Sequence, residues 1–485
     1  MNKLVKILLA SLLLTFSCEE RLEDLNTDPN NFPTASDNLV LTASIGYLGY
    51  IVDADLNFDS LLWAQYYTWG TGVSIGDEER FVAQPDNHDG YWQRAYANAL
   101  TDLNFVSNSE APAYSGIAKI LEAYTYQGLV DHFGDVPYTE AISGEIVDGS
   151  ILQPNYDDAS EIYASLITKV NDALLDLNLA IEEGTSTVAT DDFIYNGDLS
   201  KWVKFGNSLK LRLLMRTSEV SSQGDAVQEL INTGSFIETI DDMPFIPYTG
   251  TTGDNNPMFS LAEFGVGMFY YASNATLNVL ADLTDPRATI FYTTATTGSL
   301  AGSLNGIDQG SIDNEEFTAA ASDYSMASEY AYTNVNDVIL MSPWEIWFLR
   351  AEADARYGTS DDGVTAFETA ITTNFLHTGA ADATTYIANL AYSNALSLDD
   401  KLDAIGTQKW ISLNGTQEDE GWIEARRFDR PASRLFTDGI WQTPPLSVLA
   451  PGEFPSAWLY PATERSLNSN AAPQRTITDN IFWDN

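Results

Sequence analysis

Residues 113–138, AYSGIAKILEAYTYQGLVDHFGDVPY, decide the fold of this chain. Apolar side chains and one glycine recur there at helical spacing: Ile117, Ile120, Leu121, Tyr124 and Gly128. Gly134 suits the left-handed position that ends a helix, and Pro137 cannot continue one. The stretch therefore predicts a buried helix with a sharp end, and Gly128 predicts the close approach of a neighbouring backbone.

A second stretch, residues 341–358 (MSPWEIWFLRAEADARYG), has the same design. Pro343 suits a first helical turn and Gly358 suits the end of the helix. Large side chains are followed by small ones on one face: Trp344, Trp347, Phe348, Ala351 and Ala355. Such faces let consecutive helices nest as hairpins, in the manner of a tetratricopeptide array, although the full tetratricopeptide signature is missing.

The pattern changes between residues 234 and 340, where Gly, Thr, Asn and aromatic residues dominate and helical periodicity is weak outside about 258–282. Long stretches without regular structure are uncommon unless they are functional. We therefore predict a mostly α-helical chain. Tetratricopeptide-like helix hairpins form a base over about 39–233 and 341–430, and a loop-rich, irregular lobe over about 234–340 and 431–485 packs on it. The binding face is expected in the lobe.

Charge excludes one class of partner. The 485 residues carry 23 Lys and Arg against 69 Asp and Glu, a net charge of −46. Nucleic acid is not expected as a partner, because its phosphates must be neutralised by Lys and Arg. A broad face for anionic lipid is disfavoured for the same reason.

The N-terminus, MNKLVKILLASLLLTFSC, has a basic start and an apolar centre too short to span a membrane, as in an export signal. Cys18, the only cysteine, resembles a bacterial lipoprotein processing site, although Thr15 stands where Leu is usual. We expect a signal peptide at 1–17, a lipidated tether at 18–38 and one body at 39–485. An ordinary signal peptide with an incidental cysteine is the alternative.

No enzyme motif is apparent. The three histidines, His88, His132 and His377, form no zinc-binding spacing, and no nucleophile elbow, P-loop or dinucleotide fingerprint occurs. His132 is expected to be a packed or capping residue. The acidic loop 308–316 could hold calcium but lacks the EF-hand spacing, so no metal or cofactor is expected.

Carboxylate pairs are abundant and therefore uninformative, although a glycoside hydrolase needs only two carboxylates. The pairs Asp53–Asp55 and Asp419–Glu420 are interpreted as solvated side chains.

Aromatic side chains are better candidates for binding, because the apolar face of a sugar ring stacks on Trp or Tyr. Five of them lie at helix ends or in loops with polar neighbours: Trp69, Tyr270, Tyr271, Tyr292 and Tyr324. Four other tryptophans lie within predicted helices and are assigned to the core: Trp92, Trp202, Trp344 and Trp347.

Seven segments together resemble the SusD/RagB family of Bacteroidetes outer-membrane lipoproteins, over nearly the whole mature chain. They are LNTDPNNFP at 25–33, YWQRAYANAL at 91–100, AYTYQGLVDHFGDVPYTEA at 123–141, LTDPRATIFY at 283–292, VILMSPWEIWFLRAEADARYG at 338–358, IGTQKWISLNGTQEDEGWIEARRFDRP at 405–431 and LYPATERSLN at 459–468. One departure is the PSAW segment before Leu459, where the family usually carries an arginine.

The resemblance implies a helical base with an irregular lobe and no catalysis. It also implies glycan binding at the cell surface, where a lipid-anchored protein acts as a lid on a SusC-like TonB-dependent transporter in the outer membrane. Glu19 and Glu20 resemble the acidic tag of surface-exposed lipoproteins. The family's recurrent motifs are structural, so Arg426 and Arg427, which lie in one, are expected to form internal ion pairs.

The resemblance places the binding face in the loop at 69–81, the loops at 292–330 and the aromatic stretch at 269–271. These ranges contain our predicted glycan-binding residues: Trp69, Asp77, Arg80, Tyr270, Tyr271, Tyr292 and Tyr324. The strong negative charge favours a neutral glycan, and a β-glucan is our specific hypothesis. An α-helical glycoside hydrolase or lyase and a peptide-binding helical scaffold are the alternatives.

Overall fold

The computed structural model describes residues 35–70, 78–144, 151–261, 270–311, 320–428 and 441–484. Cys18, Asp77 and part of the acidic loop 308–316 lie outside the described residues. The helices are α1 Asp37–Tyr50, α2 Asn57–Trp63, α3 Asp89–Gln93, α4 Thr101–Ser107, α5 Pro112–Phe133, α6 Ala159–Glu183, α7 Leu199–Arg216, α8 Gly224–Thr233, α9 Pro257–Leu261, α10 Asn274–Asp282, α11 Ala288–Phe291, α12 Pro343–Tyr357, α13 Gly363–Thr378, α14 Ala383–Leu390, α15 Leu398–Leu413, α16 Glu418–Phe428 and α17 Ala462–Leu467.

Two π-helical segments, Ile51–Leu56 and Arg94–Leu100, join α1 to α2 and α3 to α4. The strands are short and form two antiparallel pairs. β1 (Tyr67–Trp69) pairs with β3 (Tyr270–Ala272), and β2 (Phe245–Ile246) pairs with β4 (Val338–Ile339).

Consecutive helices pack against each other throughout the base. α5 packs against α6, α6 against α7, α12 against α13, and α15 against α16. The predicted mostly α-helical fold with helix hairpins is confirmed.

Helix α5 ends where its sequence predicts, and Pro112 occupies its first turn. Gly134, after the last residue, has a φ of 79° but a ψ of −119°, so it takes a positive φ outside the left-handed helical conformation that the sequence predicts. The close backbone approach lies at Gly116, however, where an added Cβ would stand 2.9 Å from the carbonyl oxygen of Ala173 in α6. At Gly128 it would meet the Tyr91 hydroxyl at 3.2 Å, so the prediction for Gly128 is corrected.

A network of ion pairs is buried in the base between α5, α7, α12, α15 and α16. Its members have almost no exposed surface: Asp131, Arg212, Arg216, Glu345, Glu352, Lys409, Glu420, Glu424 and Arg427. Arg216 Nη2 donates to both carboxylate oxygens of Glu420 at 2.7 Å, across 204 residues of chain. Because an unpaired buried charge is costly, the network holds these helices in one arrangement.

Arg427 pairs with Glu352 and Glu424, which confirms its predicted internal role. Arg426 has a different environment. Its guanidinium lies 3.8 Å from the centre of the Trp422 ring and donates to the backbone carbonyl of Asp131 at 3.0 Å. Both arginines therefore stabilise the interior.

The four carboxylates interpreted as solvated are engaged inside the fold instead: Asp53, Asp55, Asp419 and Glu420. Asp419, for example, contacts His132 Nε2 at 2.8 Å and accepts from the Ser60 hydroxyl at 2.7 Å. His132 is fully buried, in accord with its predicted packing role. The interpretation failed because the partners of these carboxylates lie on distant helices.

Helices α8, α14 and α16 lie within the ranges predicted for the helical base. α16 has charged residues on its buried face, where Glu420 and Glu424 meet the arginines of the base. A pattern search for apolar spacing overlooks such a face.

Among the described residues, one helical run, Asp37–Trp63, is long and apolar enough to cross a membrane by length and composition. Leu41 and Ile45 of this run have no exposed surface inside the body of the protein. The run behaves here as a core helix.

Candidate functional site

The β1–β3 pair joins the range predicted as base to the range predicted as lobe, and in it Trp69 lies opposite Tyr270. Segment 325–328 runs alongside β3: Ala272 N donates to Ser325 O, and Ala327 N donates to Tyr270 O, each at 2.9 Å. On its other side, Thr293 N donates to Met326 O at 2.9 Å. Short backbone ladders therefore bring together residues from four distant parts of the chain.

Three aromatic rings stack in a row beneath these strands. Trp69 stacks on Tyr270 with ring centres 4.8 Å apart, and Tyr270 stacks on Tyr332 at 5.3 Å. Tyr67 contacts Tyr270 and Tyr332 from the side. Burial of such rings dominates local stability, so the row forms a rigid floor.

A cavity of about 240 Å³ lies against this floor, and we call it the lobe cavity. It is lined by Tyr270, Thr293, Met326, Ala327, Ser328, Glu329 and Tyr332. The lining combines two tyrosine rings and a methionine with two hydroxyl groups and one carboxylate. No basic side chain occurs among these described lining residues.

Four of the predicted glycan-stacking residues are buried and must be reassigned. Their exposed fractions are 3% for Trp69, 3% for Tyr270, 1% for Tyr271 and 0% for Tyr292. A side chain without exposed surface cannot present a ring face to a glycan. The prediction that these four rings stack on a glycan is therefore corrected. Tyr270 borders the lobe cavity, and the other three residues lie beneath it as support.

Tyr271 and Tyr292 illustrate this supporting role. The Tyr271 ring packs on Gly70 so closely that an added Cβ would overlap it. The Tyr292 hydroxyl donates to Tyr66 O at 2.8 Å and accepts from Asn414 Nδ2 at 2.9 Å, so its polar end is satisfied within the core.

Tyr324 is the predicted aromatic residue that keeps a partly exposed ring. It meets Tyr271 edge-on at 6.4 Å and packs in the same small cluster as Met326, a lining residue of the lobe cavity. Arg80 is half-buried and is not among the lining residues; its carbonyl accepts from Val448 N at 2.9 Å.

Reasoning from sequence missed Thr293, Met326, Ser328, Glu329 and Tyr332 as lining residues, although all but Tyr332 fall within the loop range 292–330. The prediction from sequence considered aromatic residues at helix ends and in loops, so it did not include a methionine or small hydroxyl residues. Only the paired backbone segments show that these side chains border one cavity.

Glu79 ties the cavity floor to a neighbouring loop. Its Oε1 accepts from Trp69 N and from Gln309 Nε2, each at 3.0 Å. Burial raises the pKa of the Glu79 carboxyl to about 8, and hydrogen bonds from Thr68 and Trp69 only partly oppose this. Glu79 is therefore mostly protonated at neutral pH.

We expect the pH dependence of stability to flatten in Glu79→Gln. Because the pKa is raised in the folded state, the stabilising contribution is complete below the unfolded value of 4.5 and is lost as pH rises through about 8. The loss is at most on the order of 5 kcal/mol. The free energy of unfolding, measured by guanidinium denaturation at pH 5, 6.5 and 8.5, should fall less steeply with pH in the variant.

Glu182→Gln, which changes an exposed glutamate of α6, is the control and should follow the wild-type slope. Equal slopes for wild type and Glu79→Gln would contradict the assignment of a buried, protonated Glu79.

The described residues contain no candidate metal site, because no group of three or more His, Cys, Asp or Glu among them could hold an ion. In the acidic loop, Asp308 Oδ1 accepts from Asn274 Nδ2 at 2.6 Å.

A family model described as SusD-like, starch-binding and associating with the outer membrane matches residues 31–442. No curated protein sequence matches the chain.

Solved structures share the fold. A chitin-binding SusD homologue from Flavobacterium johnsoniae is 19% identical, with a TM-score of 0.75 over 92% of this chain and 98% of its own. A SusD-like protein from Bacteroides thetaiotaomicron is 21% identical, with a TM-score of 0.76 over 93% and 98%. A SusD homologue from Bacteroides uniformis is 22% identical, with a TM-score of 0.74 over 92% and 99%.

Proposed function

Because this chain belongs to the SusD-like family, we propose that it captures a neutral glycan at the lobe cavity and delivers it to a SusC-like TonB-dependent transporter in the outer membrane. The family's members bind carbohydrate and are not enzymes. The family is described as starch-binding, and one structural relative is described as chitin-binding. Starch and chitin are both uncharged polysaccharides.

The observation that carries the proposal is the composition of the lobe cavity. Tyrosine rings and Met326 offer apolar surface, and the exposed Glu329 carboxylate offers hydrogen-bond acceptors for sugar hydroxyls. The hydroxyls of Thr293 and Ser328 already donate to backbone carbonyls, so they can only accept from a sugar. At about 240 Å³ it is smaller than the roughly 300–1,000 Å³ of a drug-sized site, so one ring of a longer chain would enter it.

The ligand class follows from charge. Among the described lining residues, Glu329 alone is charged, and the whole chain carries −46. A sulfated or uronic glycan would meet repulsion at this cavity, whereas a neutral glycan would not. A β-glucan remains our specific hypothesis. Binding by the protein alone is expected near micromolar, or about −8 kcal/mol.

The anchor is part of the proposal. Cys18 would carry the lipid, the 18–38 segment would tether the body, and Glu19 and Glu20 would direct the protein to the cell surface. Loss of membrane association in Cys18→Ala, measured by fractionation, would support the anchor; unchanged membrane association would contradict it.

The binding test is retardation of the chain from residue 19 onward in native gels cast with neutral and anionic polysaccharides. Tyr324→Ala should weaken binding of one neutral glycan about 2- to 10-fold, as expected for loss of one aromatic contact. Tyr47→Ala is the matched control, because Tyr47 is 37% exposed on α1 in the helical base.

Retardation by none of the polysaccharides would refute the glycan proposal and leave peptide ligands as the next candidates. Retardation by anionic polysaccharides alone would refute the neutral class. If Tyr324→Ala and Tyr47→Ala changed glycan binding equally, the binding site would not lie near the lobe cavity.

A further inference from the structure

A second cavity lies inside the helical base and shares no described lining residue with the lobe cavity. Its volume is about 40 Å³, and we call it the base cavity. Its walls come from α5 and α7, from the start of α16 and from the π-helical segment Ile51–Leu56. Most of the side chains that line it are buried, so the base cavity lies within the core rather than at the surface.

Three buried side chains that line the base cavity each carry a polar atom without a protein partner. The atoms are the Tyr91 hydroxyl, Gln127 Oε1 and Gln417 Oε1, and none of them has a hydrogen-bond partner in the described part of the chain. The three residues are only 2%, 3% and 6% exposed. A buried polar atom without a partner costs free energy, so the convergence of three on one cavity points to a bound ligand.

The hydrogen bonds made by the two glutamines show which end of each amide is free. Gln127 Nε2 donates to Asp131 Oδ2 at 3.2 Å, and Gln417 Nε2 donates to Glu345 Oε2 at 2.9 Å. Because an ionised carboxylate can only accept, each amide nitrogen must face its carboxylate and each amide oxygen is left over. The ligand must therefore donate hydrogen bonds to two amide oxygens, whereas the Tyr91 hydroxyl can donate or accept.

The glycine at position 128 leaves room for this ligand. An added Cβ would meet the Tyr91 hydroxyl at 3.2 Å and Leu56 Cδ1 at 3.9 Å, and both of these residues line the base cavity. A side chain on Gly128 would therefore occupy the space beside the Tyr91 hydroxyl. Gly128 serves the cavity rather than the close backbone approach that its sequence context predicts.

The volume of the base cavity restricts the ligand to very small molecules. One buried water needs roughly 10–15 Å³ of a cavity, so a volume of about 40 Å³ accommodates about three. A sugar ring is far too large. A buried water typically makes two to four hydrogen bonds, so a group of three can bond to the free protein atoms and to one another.

The charges around the base cavity disfavour an ion. The carboxylates in its lining already contact arginine or histidine side chains: Asp131, Asp419 and Glu420. Arg212 also lines the cavity and would repel a cation, whereas the two free amide oxygens would repel an anion. A neutral hydrogen-bond donor is the ligand that suits this lining.

We propose that the base cavity binds a cluster of about three water molecules, which bridges α3, α5 and the residue before α16. This inference goes beyond the proposed function, because the glycan site lies in the lobe. The cluster completes the hydrogen bonding of Tyr91, Gln127 and Gln417 and is thus an integral part of the helical base.

The first test is Tyr91→Phe, which removes one hydroxyl and keeps the ring. If that hydroxyl bonds to water, its loss should lower the equilibrium constant for folding about 2- to 10-fold, as expected for one hydrogen bond. The constant is measured by guanidinium denaturation of the chain from residue 19 onward, which contains every described residue. Tyr67→Phe is the matched control, because the buried Tyr67 hydroxyl also lacks a described partner but Tyr67 does not line the base cavity.

Removal of a hydroxyl that bonds to nothing relieves a cost, so Tyr67→Phe should leave the folding constant unchanged or raise it. An unchanged or raised constant in Tyr91→Phe would overturn the proposal, and so would equal losses in the two variants.

A crystal structure of the same chain, grown in rubidium chloride, identifies the occupant directly. The expected result is ordered water within hydrogen-bonding distance of the Tyr91 hydroxyl and of both glutamine oxygens, without anomalous signal from rubidium. A cavity without ordered density would overturn the proposal. An anomalous peak would overturn it as well and would make the base cavity a site for a monovalent cation.

Discussion

Arg427→Ala is expected to lower the free energy of unfolding by about 3–5 kcal/mol, the range measured when one partner of a buried ion pair is removed. The guanidinium has no exposed surface and pairs with Glu352 through two hydrogen bonds of 2.6 Å. It also bonds Glu424 at 2.7 Å and 3.0 Å. Truncation would leave two buried carboxylates short of their main cation.

The measurement is guanidinium denaturation of wild type and variant at pH 7. Arg465→Ala, at an exposed arginine of α17, is the control and should change stability by less than about 0.5 kcal/mol. Arg427→Lys should give an intermediate loss, because an ammonium group cannot bond two carboxylates in a forked geometry. A loss below 1 kcal/mol in Arg427→Ala would show that the network contributes little.

The contribution of the Arg427–Glu352 ion pair to stability should depend on pH. Burial would raise the pKa of Glu352, but Arg427 and Arg356 outweigh it and hold that pKa below its usual value of 4.5. Since the folded-state pKa is lowered, this stabilisation is present above 4.5 and is lost as pH falls further. In Arg427→Ala, Glu352 keeps only Arg356, and Glu424 keeps Arg216 and Lys409. Acidification should then neutralise two buried carboxylates that have each lost one cation, so the stability difference between variant and wild type should shrink at low pH.

Trp69→Ala is expected to cost about 3–5 kcal/mol, as for other buried tryptophans, and to abolish glycan retardation without Trp69 touching the glycan. Trp69 is 3% exposed, stacks on Tyr270 at 4.8 Å and meets Phe58 edge-on at 6.2 Å. Its removal leaves a void under the floor of the lobe cavity, so the lining residues above lose their support.

Two measurements distinguish a Trp69 that supports the cavity floor from a Trp69 that contacts the glycan. If Trp69 supports the floor, Trp69→Ala should lower thermal stability in the absence of glycan. Trp69→Phe, which keeps a stacked ring, should then restore most of the retardation. If Trp69→Ala were as stable as wild type yet failed to bind, Trp69 would be a contact residue and the assignment of the floor would be wrong.

The helices were predictable because their signals are local. The apolar face of α5, Pro112 at its start and Gly134 at its end all lie within one stretch. Gly358 likewise ends α12, and it does so in the left-handed conformation. The family resemblance likewise rests on ordered local motifs. Such features depend on neighbours a few residues apart, which sequence shows directly.

The site was less predictable because exposure is not a local property. Trp69 and Tyr270 were both read as free to stack on a sugar, but they stack on each other across distant parts of the chain. Asp419 and Glu420 were read as solvated, but their cationic and histidine partners lie on α5 and α7. Which face of an aromatic or which carboxylate meets water is settled only when remote segments pack.

By itself, the amino-acid sequence determined the helical class of this protein, the ends of its main helices, its acidic character and its family. Tertiary structure alone decided that the predicted tyrosines support a cavity, that Met326 and Tyr332 line it, and that Tyr91, Gln127 and Gln417 border a second cavity in the base. The physical reason is the range of the forces involved. Helix formation is governed by spacing along the chain, whereas burial depends on which distant surfaces exclude water from each other.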